Sequence, residues 1–169
     1  HQVFQDVETL QRNIFTVTEH IRKKLEAEGD ADVDRHVCTF LRTKSGERYT
    51  TYEGSYWRVM LYIPGSVTVD AVTPESARSA GRAFGDFQSR LSDIPEGTLG
   101  DTIPHFHDMA FRLQELADAI KEDRVGRVQE ERVKKLIKAI DDRSDDMLLQ
   151  ERLYEEGTLP KHINHLDTK

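Results

Sequence analysis

The feature that most constrains the fold is a change in hydrophobic periodicity after residue 28. Residues 3–28 carry apolar side chains at steps of three and four, which predicts one amphipathic helix ended by Gly29. The following stretch is rich in β-branched and aromatic residues and has short turns, which predicts an antiparallel meander. Its three predicted strands are residues 36–43, 48–52 and 56–63.

Pro64-Gly65 is the best internal boundary, because proline cannot donate to a strand ladder. Beyond it the helical period returns. Thr73-Pro74 predicts a capped helix start, and further helices are expected after Pro104 and over residues 126–156. Gly81 and Gly85, four residues apart, predict tight packing against another helix.

This order predicts an α+β fold in which a small lobe precedes a helical lobe. The small lobe, residues 1–64, would hold the first helix and the antiparallel strands, and residues 65–169 would form the helical lobe. A ligand is expected in the cleft between two such lobes.

Composition excludes some classes of function. The net charge of −7 argues against a general nucleic-acid binder, which would show a basic face. The sequence contains no apolar run long enough to predict a membrane-spanning helix. The single cysteine cannot form an internal disulfide, which favours a reducing, cytoplasmic compartment. The chain starts without Met and stops two residues after a His-x-Asp, so we expect an internal fragment of a longer protein.

The terminal His165-Leu166-Asp167 is a weak signal alone, because three residues recur by chance. A kinase-type catalytic loop begins with this pattern, and there the Asp accepts the proton of a substrate hydroxyl. The competing interpretation is a polar, frayed C-terminus.

Several stretches together resemble one family, the N-acetylhexosamine 1-kinase-like branch of the aminoglycoside phosphotransferase and choline kinase superfamily. The resemblance covers nearly the whole chain in the right order. It is carried by Val3 to Val7 with Asn13-Ile14, Tyr56-Trp57-Arg58, Gly81 to Gln88, Ile103 to Asp108 and His165 to Lys169.

The resemblance implies a protein-kinase-like fold and transfer of the γ-phosphoryl group of ATP, with Mg²⁺, to a small-molecule hydroxyl. In the N-acetylhexosamine kinases that hydroxyl is the anomeric one. Asp167 would be the catalytic base. Met60 would lie behind the adenine, and the backbone of Leu61 and Ile63 would offer it a carbonyl and an amide. The first helix would carry an acidic residue that pairs with a phosphate-binding lysine.

The family's glycine-rich loop and its phosphate-contacting basic residue would precede His1, and its metal-binding residues would follow Lys169. We therefore expect this chain alone to be catalytically inactive. A sheet without its first strands would expose an edge and apolar surface, which predicts a homodimer through that edge.

Other interpretations compete with the kinase. Relatives of this kind are sometimes labelled mucin-desulfating sulfatases, but Cys38 to Arg42 lacks the proline of Cys-x-Pro-x-Arg, and a buried strand cysteine is favoured instead. His105 and His107 are two residues apart and would not converge on a metal, so capping of a helix is favoured. The alternative function is a non-catalytic, acidic helical interaction module.

Overall fold

A computed structural model of the chain describes residues 4, 6–68 and 70–163. It contains seven helices and four short strands within those ranges, and the strands form two antiparallel pairs, which confirms the α+β class. The chain divides into two compact units, residues 1–102 with 162–169 and residues 103–161. The predicted lobe boundary at Pro64-Gly65 lies inside the first unit, and the division into lobes stays a prediction.

Helix α1 spans Val7–Ala27 and confirms the first predicted helix. Asp6 caps it by accepting a hydrogen bond from the Thr9 amide at 2.9 Å, and Gly29 follows it with a φ of +76°. A left-handed residue after a helix lets the last carbonyls be satisfied, which is why glycine is common there. The buried stripe differs in part from the predicted one, since it includes Gln11 and Phe15.

The core of the first unit joins α1 to the helix α3, Pro74–Leu91. Its buried members are Ile21, Leu25, Val37 and Leu91. The predicted start of α3 is confirmed, because Thr73 and Ser76 form a reciprocal capping box with Pro74 in the first turn. Tight packing at Gly81 and Gly85 was predicted wrongly. A methyl group at either glycine would have no described atom within 4 Å apart from the adjacent backbone of its own helix.

Between α1 and α3 lie a short helix α2, Val33–His36, and strands β1 Phe40–Leu41, β2 Thr50–Tyr52, β3 Ser55–Trp57 and β4 Val59–Met60. The strands are antiparallel, as predicted, but shorter than predicted. They also do not form a meander: β2 pairs with β3, whereas β1 pairs with β4. Residues 42–49, which connect β1 to β2, belong to neither strand pair. The turn between β2 and β3 at Glu53-Gly54 has positive φ at both residues.

The second unit contains α4 Met109–Glu122, α5 Glu131–Asp141, α6 Ser144–Met147 and α7 Leu149–Glu155. The single helix predicted over residues 126–156 is therefore interrupted. At the interruption, the Arg143 guanidinium donates to the Ala139 carbonyl at 2.7 Å and the Ser144 hydroxyl donates to the Asp141 carbonyl at 2.9 Å. Side-chain donors thus satisfy backbone carbonyls at the end of α5. Leu136, an apolar residue within the predicted helix, is 56% exposed.

Candidate functional site

The segment Leu61–Gly65, which follows β4, is the candidate nucleotide-binding segment, and the fold holds it at three points. The Leu61 amide donates to the Thr39 carbonyl at 2.9 Å, extending the β1–β4 ladder by one residue. The Ser66 hydroxyl donates to the Ile63 carbonyl at 3.2 Å, and the Arg35 guanidinium donates to the Pro64 carbonyl at 2.7 Å. The path of the backbone through the segment is therefore fixed by its neighbours.

Several main-chain groups of the segment have no hydrogen-bond partner among the described residues, and the Leu61 carbonyl and the Ile63 amide are two of them. Among the described residues, none donates a hydrogen bond to the Leu61 carbonyl and none accepts one from the Ile63 amide. Both residues carry apolar side chains, so any polar recognition here must use the backbone. The segment thus offers one acceptor and one donor two residues apart.

The side chain of Met60 lies on the face of the β1–β4 pair that also bears its register partner Phe40. This is the face toward α1, because the Phe40 ring lies 6.1 Å from the ring of Phe15. Arg58 places its guanidinium 4.8 Å from the centre of the Phe40 ring and reaches the buried Gln11 side chain of α1 at 3.4 Å. A cation over an aromatic face and a hydrogen bond together tie the strand to the helix.

A network of polar side chains from α1, α2 and Thr39 lies next to the segment. Asp34 accepts hydrogen bonds from Arg22 of α1 at 2.6 Å and from the Thr39 hydroxyl at 2.8 Å, and Arg22 also contacts that hydroxyl. These bonds, that from Arg22 foremost, lower the pKa of the Asp34 carboxyl. Since the Thr39 carbonyl receives the Leu61 amide, the network links α1 to the candidate segment.

The acidic residue that the resemblance places on the first helix has two candidates near the strands. Glu8 pairs with Arg48 at 3.1 Å, and Glu19 pairs with Arg42 at 2.7 Å. Both glutamates already have an arginine partner from the segment between β1 and β2. The structure therefore does not single out either glutamate as the acidic residue that the resemblance implies.

A second ionic cluster fastens α1 to the end of α3. The Asp93 carboxylate lies 2.6 Å from the Lys24 ammonium and 2.9 Å from Nε2 of His20, while Lys24 also donates to the Arg90 carbonyl at 2.6 Å. Hydrogen bonds, first from Lys24 and then from His20, lower the pKa of Asp93 to about 2. Arg90 in turn pairs with Glu28 and Asp86.

Replacing Asp93 with Asn is expected to lower the thermal midpoint of the protein at neutral pH, because it removes the charge that Lys24 and His20 face. A carboxyl whose pKa is lower in the folded state contributes stability that is full above its unfolded value and is lost as pH falls through the folded value. The gap in midpoint between wild type and Asp93→Asn should therefore be constant above about pH 5 and should close between about pH 4 and 2. Circular dichroism melts across this range would measure it.

The matched control is Asp70→Asn, which changes an exposed carboxylate for which the described residues provide no hydrogen-bond partner. Its midpoint should follow wild type at every pH. A gap for Asp93→Asn that persists unchanged at pH 2 would contradict the ionic origin of the effect.

The remaining predicted site residues fall elsewhere. Asp167 and His165 lie outside the residues that the structure describes. Asp108 caps α4 by accepting from the Phe111 amide at 2.8 Å, and His105 binds its other oxygen at 2.6 Å and stacks on the Phe111 ring. The capping interpretation of this motif is confirmed. Cys38 is exposed and precedes β1, so the interpretation as a buried strand cysteine was wrong.

No family of known proteins matches the chain. Within residues 4, 6–68 and 70–163, no group of three His, Cys, Asp or Glu side chains is placed to hold a metal ion. None of the helices in those ranges is both long enough and apolar enough to cross a membrane. Sequence analysis did not predict the contacts that hold the segment, which involve Arg22, Asp34, Arg35 and Thr39. The sequence shows only a run of charged residues after Gly29.

Proposed function

We propose that this chain belongs to an ATP-dependent kinase that phosphorylates a small-molecule hydroxyl, the anomeric hydroxyl of an N-acetylhexosamine. In this proposal the chain supplies the adenine-binding segment, and the fold is part of a protein-kinase-like one. The observation that carries the proposal is a pair of unpartnered main-chain groups, the Leu61 carbonyl and the Ile63 amide, on a segment that three hydrogen bonds hold at Leu61, Ile63 and Pro64.

This pair suits an adenine ring. The edge of adenine presents an amino group that donates and a ring nitrogen that accepts, so a carbonyl and an amide two residues apart complement it. Ligand sites are mostly apolar with a few placed polar groups. Met60, Leu61 and Ile63 supply apolar side chains around the two backbone groups, and Met60 lies at the start of the segment, at the end of β4.

Asp167 is proposed as the catalytic base. A carboxylate beside the attacking hydroxyl would orient it and accept its proton as the bond to the γ-phosphorus forms. Bound Mg²⁺ would neutralise charge on the phosphates. At such sites Mg²⁺ is held by one or two carboxylates together with the phosphates and water.

Replacing Ile63 with Pro is expected to weaken adenine-nucleotide binding, because proline has no backbone N–H. One hydrogen bond contributes about 0.5–1.5 kcal/mol, which corresponds to roughly a 2–10-fold rise in the dissociation constant. Trp57 is the only tryptophan and lies six residues before Ile63, so its fluorescence can report the titration with ATP or adenosine.

Val67→Pro is the matched control, since Val67 is 85% exposed and the described residues give its amide no partner. It should bind nucleotide as wild type does. If wild type binds no adenine nucleotide, or if both proline variants bind equally to wild type, the assignment of the segment fails and the interaction-module alternative gains.

A further inference from the structure

The strand run through β3 and β4 has one edge that no described residue pairs with, which we call the outer edge and define by Tyr56, Arg58, Met60 and Tyr62. Antiparallel pairs alternate between hydrogen-bonded and non-hydrogen-bonded residues. The Leu61 amide bonds to Thr39 and Val59 is the register partner of Leu41, so the amides of Leu61 and Val59 are directed toward β1. Arg58, Met60 and Tyr62 therefore turn theirs away from β1, and no described residue hydrogen-bonds to them there.

The outer edge lacks the devices that keep strand edges from pairing. Natural edges are blunted by charged side chains, by proline or by a covering element. From Ser55 to Ile63 the only charged residue is Arg58, and its guanidinium is directed to the Phe40 ring and Gln11. The apolar side chains of the run are exposed, namely Tyr56, Trp57, Val59, Met60, Leu61 and Tyr62.

We propose that a second copy of this chain pairs with the outer edge, antiparallel and centred on Val59. The centre follows from the backbone: Arg58 and Met60 both point outward, so an Arg58–Met60 pair across a twofold axis forms hydrogen bonds in both directions. The same register brings Val59 opposite Val59, Trp57 opposite Leu61 and Tyr56 opposite Tyr62. The edge is thus complementary to itself, as an isologous twofold interface requires.

Three exposed aromatic rings supply about half of the area that a stable dimer needs. Tyr56, Trp57 and Tyr62 are 53%, 57% and 78% exposed. With about 150–250 Å² for each ring, they alone offer on the order of 400 Å². A stable interface buries about 800 Å² per partner, and Val59, Met60, Leu61 and the backbone of the edge contribute to the remainder.

Electrostatics also favour a copy of the same chain at this edge over an unrelated charged partner. Each copy carries a net charge of −7, which opposes association, but the run from Ser55 to Ile63 contains no acidic residue. The repulsion therefore acts between distant charges, which salt screens. The dimer should tighten as ionic strength rises, whereas binding of a charged ligand to Arg58 would weaken.

The test compares wild type with Val59→Lys and Val67→Lys by sedimentation equilibrium over a range of concentrations and salt. Wild type and Val67→Lys should dimerise. Val59→Lys should be monomeric, because the twofold axis places its two lysines directly opposite, about 4.5–5.5 Å apart at Cβ. Val59 is 60% exposed on the face away from Phe40, so circular dichroism of this variant should match wild type.

Amide hydrogen exchange of wild type gives a second readout that needs no variant. The amides of Arg58 and Met60 should be protected at high protein concentration and exchange rapidly on dilution, while that of Leu61 stays protected in both. A wild-type monomer at every concentration would overturn the proposal. So would a dimer that Val59→Lys leaves intact, or one in which the Arg58 and Met60 amides exchange freely, since the copies would then meet elsewhere.

Discussion

Replacing Asp167 with Asn is expected to lower sugar-dependent ATP turnover by roughly 10²–10⁴-fold, the usual contribution of a positioned general base. The amide keeps the size of the side chain but cannot take a proton from the hydroxyl. The assay uses the full-length natural protein with ATP and a panel of N-acetylhexosamines. The loss should appear in kcat, because the role proposed for the carboxylate is at the reacting oxygen and not in nucleotide affinity.

The control for Asp167→Asn is Asp101→Asn, the same change at an exposed carboxylate for which the described residues provide no side-chain partner. It should leave turnover unchanged. Turnover that survives in Asp167→Asn would remove Asp167 from the chemistry. A folded, full-length protein that turns over none of the sugars would point to another hydroxyl substrate or to the non-catalytic module.

Replacing Leu91 with Ala should cost about 2–5 kcal/mol of unfolding free energy, because the residue is 1% exposed and its truncation leaves a cavity in a close-packed site. Leu91 packs with Ile21 and Leu25 of α1 and with Val37, so the loss loosens α1 and α3 together. Urea unfolding followed by Trp57 fluorescence measures the stability of the first unit, because the only tryptophan of the sequence lies there.

The comparison for Leu91→Ala is Leu41→Ala, which makes the same truncation within the first unit at a side chain that is 44% exposed. Surface changes of this kind usually fall within about 0.5 kcal/mol of wild type. A Trp57 transition that Leu91→Ala leaves in place would mean that the first unit does not depend on the α1–α3 core.

The helices were predictable where a local signal marks their ends. Asp6, Gly29 and the Thr73–Ser76 box act within four residues of the backbone that they satisfy, so sequence alone places them. The buried stripe of α1 was only partly predictable. Gln11 is buried because Arg58, far along the chain, reaches its side-chain oxygen, and no local pattern encodes that partner.

The strands were predictable in type but not in pairing. β-branched and aromatic residues marked the right stretch, yet β1 skips β2 and pairs with β4. Residues 42–49 belong to neither strand pair. Two of them, Arg42 and Arg48, form ion pairs with Glu19 and Glu8 of α1. Tertiary ion pairs here compete with the ladder, and single-sequence patterns do not contain them.

For the candidate site, the resemblance named Met60, Leu61 and Ile63, all within the predicted strand 56–63. In the structure β4 ends at Met60, so Leu61 and Ile63 follow the strand, and their role stays a prediction. The sequence did not identify what holds them. Arg22, Asp34 and Thr39 are separated by up to 17 residues and meet only when α1, α2 and β1 are folded. Whether Asp167 belongs with this segment stays a prediction.

The two strand pairs differ in how much chain each must organise. The β2–β3 pair closes a two-residue turn at Glu53-Gly54, whereas the β1–β4 pair encloses every residue from Arg42 to Arg58. Closing the longer loop costs more chain entropy, and non-local pairs form later in folding for that reason. The local hairpin can therefore assemble early by itself, and the Leu61–Gly65 segment gains its shape only once the more distant pair has closed.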